Sequence, residues 1–259
     1  MKRPATKIVV AAIVIGAAII GVTAARRANH ESPCGEGFER RGPRCMPRGD
    51  PPLGVVDVPP TTVTIGPSDW EAEGRLAPRT LKTVAFRVDR FEVHVARACA
   101  SAVFTGAAFC KDDPFRAAYA VTLAKARAFC KEQKGRLPTE DEWIVAAAGD
   151  KPRRYPWGDT GAVCRRAAWG LKNGPCAQGA TGPDTIGAHH DGATPLGIED
   201  LAGNVAEWVE PGVVRGGAWD SMLATEMRTW LRREAPPDIE DPTIGFRCAY
   251  DGATHDAPP

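Results

Sequence analysis

The stretch Gly135-Arg136-Leu137-Pro138-Thr139-Glu140-Asp141-Glu142-Trp143 decides how this chain is read. Thr139 to Glu142 fits a capping box, with Thr139 as N-cap and Glu142 at the third helical position. The acidic first turn also suits the positive end of the helix dipole. Trp143, Ile144 and Ala147 form the inward face, and Gly149 is a natural terminator. Upstream, Thr122 can cap a helix through Leu123, Ala126, Phe129 and Cys130, with Gly135 just beyond its end. Leu137-Pro138 therefore fixes how one helix feeds the next.

Outside these two helices the pattern is extended or irregular. Thr61 to Ile65 is β-branched and ends at Gly66-Pro67, a short strand. Between Leu81 and Val95, Val84, Phe86 and Val88 alternate with Ala85 and Arg87. The alternation resumes at Phe91, Val93 and Val95, so the period of two predicts strand with a bulge or bend at Asp89-Arg90. From Tyr155 to Asp200 no helix of useful length is predicted, which points to loops held by disulfides, metal or buried tryptophans. Val213-Val214 and Phe246-Arg247-Cys248 read as short strands, and residues 251–259 as a flexible tail.

The N-terminal residues set the compartment. Lys2, Arg3 and Lys7 precede 18 apolar or small residues from Ile8 to Ala25, and Arg26-Arg27 follow. At ~1.5 Å per residue this run is roughly 27 Å long, near the short end for a membrane span. Residues 1–25 are thus a transmembrane anchor or, with Val22-Thr23-Ala24 as cleavage site, a signal segment. Either reading puts the body outside the cytoplasm, membrane-anchored or secreted. Residues 26–60, rich in Arg, Gly and Pro, read as a linker carrying a small stapled loop.

Eight cysteines, at 34, 45, 99, 110, 130, 164, 176 and 248, agree with export and contain no CxxC pair. They allow 105 complete pairings, and sequence alone does not choose among them. Locality suggests Cys34–Cys45, Cys99–Cys110 and Cys164–Cys176, which leaves Cys130 with Cys248. Each local bridge is worth roughly 3 kcal/mol in the chain-entropy model, the long one roughly 4–5 kcal/mol. Lys plus Arg number 33 against 32 Asp plus Glu, a net charge of +1 with no basic stripe, which argues against a nucleic-acid partner.

Further motifs follow in a fixed order. Phe86 to Val93 precedes Gly135–Trp143; then come Tyr155-Pro156-Trp157-Gly158-Asp159 and Leu201-Ala202-Gly203-Asn204-Val205-Ala206-Glu207-Trp208. Arg215-Gly216-Gly217-Ala218-Trp219 and Gly245-Phe246-Arg247-Cys248 close the series. As an ordered set over residues 61–250 they resemble the formylglycine-generating enzyme, or sulfatase-modifying factor, family. The resemblance implies an α+β fold related to the C-type lectins, low in regular secondary structure. It also implies a Cys130–Cys248 disulfide.

Spacing and resemblance together suggest a calcium turn at Asp200 to Glu207. The carboxylates of Asp200 and Glu207 and the carbonyls of Gly203 and Val205 are hard oxygen donors, the chemistry calcium prefers. The bland alternative is a turn in which Asn204 and Glu207 only hydrogen-bond the backbone. Arg215 is either a buried structural cation or a groove residue. The tryptophans 143, 157, 208 and 219 are core more often than substrate platform. His189-His190-Asp191 is weak evidence for a metal.

The copper site of the family is missing. Family members hold copper with two cysteines just after the Gly-Gly-aromatic motif, and the matching positions here are Ser221 and Glu226. Copper(I) favours thiolates, so these oxygens are poor replacements. No cysteine lies between Cys176 and Cys248, and no His-x-x-x-His pattern offers iron ligands. The expectation is a non-standard or non-catalytic member at the cell envelope, binding an exported peptide, protein or glycan. The alternative is an oxidoreductase on an exported substrate, with donors drawn from His189, His190, Asp191, Ser221 and Glu226. A third possibility is a purely structural envelope protein.

Overall fold

The computed structural model describes residues 34–252, apart from 36, 43, 51–52 and 66–77. The expected anchor or signal segment, and nearly all of the expected tail, lie outside the described residues. Among the described residues no helix is long and apolar enough to cross a membrane.

The chain opens on a hairpin of β1 (Phe38–Arg41) and β2 (Arg44–Pro47), stapled by Cys34–Cys45. Next come β3 (Val55–Val58), β4 (Thr61–Ile65), β5 (Arg79–Thr83) and β6 (Phe86–Asp89). The hairpin and β3 correct the reading of 26–60 as linker: folded structure begins well before Thr61. Phe38 is buried against Phe91, ring centroids 5.6 Å apart, and β3 pairs antiparallel with β6. One buried aromatic and one strand edge hold a segment otherwise poor in large apolar residues.

β4 pairs with β5, and the strand expected at Thr61–Ile65 has those bounds. The alternation to Val95 breaks sooner than expected: Val95–Cys99 is a short helix, α1, tied by Cys99–Cys110. Helix α2 (Leu123–Glu132) and helix α3 (Glu140–Ala148) follow. Thr122 Oγ1 accepts from Lys125 N at α2. At α3, Thr139 Oγ1 accepts from Glu142 N while Glu142 Oε2 accepts from Thr139 N, the reciprocal box. Gly149 ends α3 at φ +73°, a conformation that favours glycine.

The remaining strands are β7 (Ala206–Val209), β8 (Val213–Arg215), β9 (Arg232–Glu234), β10 (Ile244–Gly245) and β11 (Ala249–Asp251). They make a four-stranded sheet, β10-β7-β8-β9, and extend the other as β11-β6-β3. The β10–β7 contact is parallel and its other neighbours are antiparallel. Phe246-Arg247-Cys248, expected as a strand, is instead the link between β10 and β11. It carries one residue into each of three buried contacts, described below.

One core packs Trp143, Ile144 and Ala147 of α3 against Val58, Phe86 and Val88. A second gathers Phe104, Phe109, Phe129, Trp208 and Phe246 around the Cys130–Cys248 bridge. Phe129 and Phe246 meet edge to face at 5.4 Å, a favoured aromatic geometry. From 155 to 200 the chain is loop, save one short turn at His190–Gly192, and Cys164–Cys176 closes part of it. All four disulfides have the expected partners, and no cysteine is free. The overall class is α+β with sparse regular structure.

Candidate functional site

Two neighbouring features follow from the turn at Asp200–Trp208: a buried charge network beneath it and an open cleft beside it. The turn requires left-handed backbone at Asp200 (φ +56°), Gly203 (+79°) and Asn204 (+58°), and the short polar side chains of Asp and Asn tolerate this. A β-carbon at Gly203 would lie 2.3 Å from the Ala168 carbonyl oxygen, so only glycine fits.

Arg247 is fully buried and forms a fork with Glu207, Nε to Oε2 at 2.8 Å and Nη2 to Oε1 at 2.6 Å. Its remaining donors reach the carbonyls of Asp89, Arg90 and Glu199. Trp143 Nε1 adds a third hydrogen bond to Glu207, at 2.8 Å. Glu92 completes the network by accepting from Val205 N at 3.0 Å and from the Asn204 amide. Burial first, then repulsion from Asp200 and Glu207, pushes the Glu92 carboxyl well above its usual range, although Arg247 opposes the shift. Burial and Glu199 raise Asp200 to about 6.

These contacts test the calcium set. Asp200 Oδ2 already accepts from Gly187 N at 2.6 Å. Glu207 takes three hydrogen bonds of the roughly four a carboxylate can accept. Among the described residues no group of three or more His, Cys, Asp or Glu side chains is arranged to hold a metal ion. Two carboxylates with two carbonyls fall short of such a cage, so a cation here would share Glu207 with Arg247. In its favour, the three buried carboxyl groups of Glu92, Asp200 and Glu207 gather around the Arg247 guanidinium, and a bound cation would favour their ionised forms. Glu92 is the residue that sequence reasoning missed. It alternates with the buried Phe91 and Val93 and so belongs to the face expected to meet solvent; its partners lie over a hundred positions away.

The cleft beside the network has a volume of about 410 Å³. It is lined by Arg215-Gly216-Gly217-Ala218, by Leu231 and Arg233, and by Asp241-Pro242-Thr243, which the Arg233 side chain reaches at 3.6 Å (Asp241) and 3.4 Å (Thr243). Asp220, Ser221, Met222 and Glu226 close it, so the two positions matching the family's copper cysteines do meet in one cleft. Ser221 Oγ accepts from Ala218 N at 3.0 Å and Glu226 Oε2 from Leu223 N at 3.1 Å. Gly217, at φ +71°, brings its backbone against the Glu226 carbonyl, where a β-carbon would come within 2.7 Å. The Gly-Gly pair thus seats the turn that carries Glu226. Arg215 lines the cleft yet is buried, pairing with Glu140 and donating to Leu231 O at 3.1 Å, so it is a structural cation at the cleft wall. Burial carries the Asp220 carboxyl upward, helped by Asp241 and Glu226. Met222 and Leu223 are exposed at the rim.

His189, His190 and Asp191 diverge. His189 bridges Asp184 and the Cys164 carbonyl, His190 bonds Glu199 at 2.6 Å, and Asp191 pairs with Arg165 at 2.9 Å. As a shared metal triad they are corrected: each has a different partner, and two of these contacts tie loops together.

Comparison with known proteins follows the same lines. The sulfatase-modifying factor enzyme 1-like domain matches residues 47–252. The inactive C-alpha-formylglycine-generating enzyme 2 of Bos taurus is 34% identical over 152 residues, 50% of this chain and 48% of that protein. Hercynine oxygenase of Mycolicibacterium thermoresistibile is 30% identical over 164 residues, 51% of this chain and 35% of that protein. The chain therefore spans about half or less of the length of these relatives. Among solved structures, PvdO from Pseudomonas aeruginosa superposes with a TM-score of 0.62 at 16% identity, covering 79% of this chain and all of that one (100%). Treponema denticola variable protein 1 gives 0.61 at 18% identity, covering 77% and 95%; both are likenesses of fold. With the domain matched across most of its length, and the Gly-Gly cleft and the Glu207–Arg247 network in place, the chain belongs to the sulfatase-modifying factor family.

Proposed function

We propose that this protein is an extracytoplasmic, non-catalytic member of its family that binds a peptide or glycan in the cleft lined by Arg215–Ala218, Ser221, Arg233 and Asp241–Thr243. One observation carries this reading. Ser221 and Glu226 present oxygen where copper chemistry needs two thiolates, and all eight cysteines are held in disulfides. The four disulfides suit an oxidising compartment, and the basic-flanked apolar run at residues 8–25 suits export with a membrane tether. A relative whose name marks it as inactive is compatible with loss of chemistry on a retained scaffold.

The decisive experiment is an oxygen-uptake assay on copper-loaded protein with a cysteine-containing peptide, run beside a peptide and glycan binding screen. Binding without copper-dependent oxygen consumption is expected; turnover would end the non-catalytic reading. The similarity to hercynine oxygenase keeps one alternative, a metal-dependent oxidase of an exported substrate. It needs donors other than the divergent His189, His190 and Asp191, and redox-metal content in the purified protein would favour it.

Calcium is proposed separately as a structural ion at Asp200, Gly203, Val205 and Glu207. The three buried carboxyl groups gathered around Arg247 support it, and the ion would supply positive charge without taking part in any reaction.

A further inference from the structure

Cys164 is the exposed member of the eight half-cystines; the others are buried or half-buried. Its partner Cys176 packs into the apolar clusters of Trp169, Met227, Ala218 and Trp219. The loop they close is built into the cleft wall. Leu171 N donates to Trp219 O at 2.8 Å, and Leu171 O accepts from Gln178 N at 2.8 Å and Ala180 N at 3.2 Å. Gly174 lies so close to Met222, a cleft residue, that a β-carbon there would come 3.1 Å from its sulfur. One solvent-facing bond thus secures a loop whose inner side supports Trp219 and Met222.

We propose that Cys164–Cys176 is a thiol–disulfide exchange site, opened by a dithiol reductant, and that its state sets the mobility of the cleft wall at Ala218–Met227. A reductant thiolate attacks Cys164 Sγ, and Cys176 departs as a thiolate. The reductant's second thiolate then displaces Cys164 and closes its own disulfide. Two electrons and two protons pass from reductant to the pair. Access decides which bridge reacts: Cys130–Cys248 and Cys34–Cys45 are shielded in cores, and Cys99–Cys110 is half-covered beneath Phe104 and Phe109. The functional meaning rests on the cleft being the ligand site, but the chemistry and the loosening do not require a ligand.

Titration of the full-length native protein with dithiothreitol tests this, with iodoacetamide quenching, mass-spectrometric mapping and hydrogen exchange. Cys164 and Cys176 are expected to alkylate at least tenfold faster than any other pair. In that species the amides of 218–227 should exchange at least tenfold faster, while 123–132 keep their protection. Prior reduction of another bridge overturns the proposal, and so does selective opening without faster exchange at 218–227. Cys164→Ser/Cys176→Ser should show the fast-exchanging wall without reductant; a wall protected as in the parent overturns it equally. None of these readouts involves bound peptide or glycan, so failure here is distinct from failure of the binding reading.

Discussion

Replacing Arg247 by Met removes five hydrogen bonds from a fully buried position. Glu207 would be left as a buried carboxylate with Trp143 Nε1 as its remaining named donor, close to Glu92 and Asp200. The carbonyls of Asp89, Arg90 and Glu199 would each lose a donor, although Arg90 O still accepts from Glu199 N at 2.9 Å. Breaking one side of a buried ion pair costs about 3–5 kcal/mol, because the surviving charge is uncompensated. That corresponds to roughly two to three and a half powers of ten in the ratio of folded to unfolded protein. The double variant Glu207→Gln/Arg247→Met removes the orphaned charge and should recover a substantial part of the loss. Urea unfolding at neutral pH with chelator, followed by tryptophan fluorescence, reads both, since Trp143 and Trp208 flank the pair. A single variant within about 1 kcal/mol of the parent would refute the reasoning, as would a double variant no more stable than the single.

Gly203→Ala puts a β-carbon 2.3 Å from the Ala168 oxygen at a left-handed φ; a loss of at least about 2 kcal/mol is expected by urea unfolding. Thr139→Ala should cost about 1 kcal/mol by removing the cap of α3. Glu142 feels burial pushing its carboxyl up, but Arg136 and the Thr139 backbone more than offset this and hold it below its usual value. Its folded pKa is depressed, so its contribution is present above the unfolded value of about 4.3 and fades as pH falls. Glu142→Gln should therefore lower the melting temperature at pH 7, and the gap to the parent should narrow as pH falls through the depressed folded value. If calcium occupies the Asp200 turn, chelation lowers the melting temperature and Asp200→Ala abolishes the difference; identical melting with and without calcium removes the ion from the turn. Ser221→Cys/Glu226→Cys should gain copper(I) affinity in a competition assay with a chromogenic chelator, while the parent shows none; no gain would mean the two positions do not share a coordination sphere.

Local grammar explains what could be read in advance. The Thr139–Glu142 box is complete within four residues, and three of the disulfides close loops of 11 or 12 positions. The hairpin at Phe38–Pro47 escaped because Phe38, its one large buried side chain, gives no periodicity. Helix α1 escaped because Val93 and Val95 keep a strand-like alternation while the chain turns under the constraint of Cys99–Cys110. At the site, Ser221 and Glu226 were placed through an ordered motif. Glu92 was not, since nothing near it in sequence tells that it meets Asn204 and Val205. Arg247, expected within a strand, became a buried counter-ion because its link leaves the β10 edge and turns inward.

That link has a consequence for how the domain comes to exist. Ile244–Gly245 completes one sheet, Ala249–Asp251 completes another, and between them Arg247 and Cys248 supply the counter-charge and the long cross-link. A nascent chain halted before Ile244 would lack an edge of each sheet, the cation for Glu207 and the partner of Cys130. Both sheets, the buried ion pair and the long cross-link are therefore completed by one short piece of chain. Until Cys248 is in place Cys130 has no partner, so a chain stopped short of it would be marked by one thiol in its aromatic core.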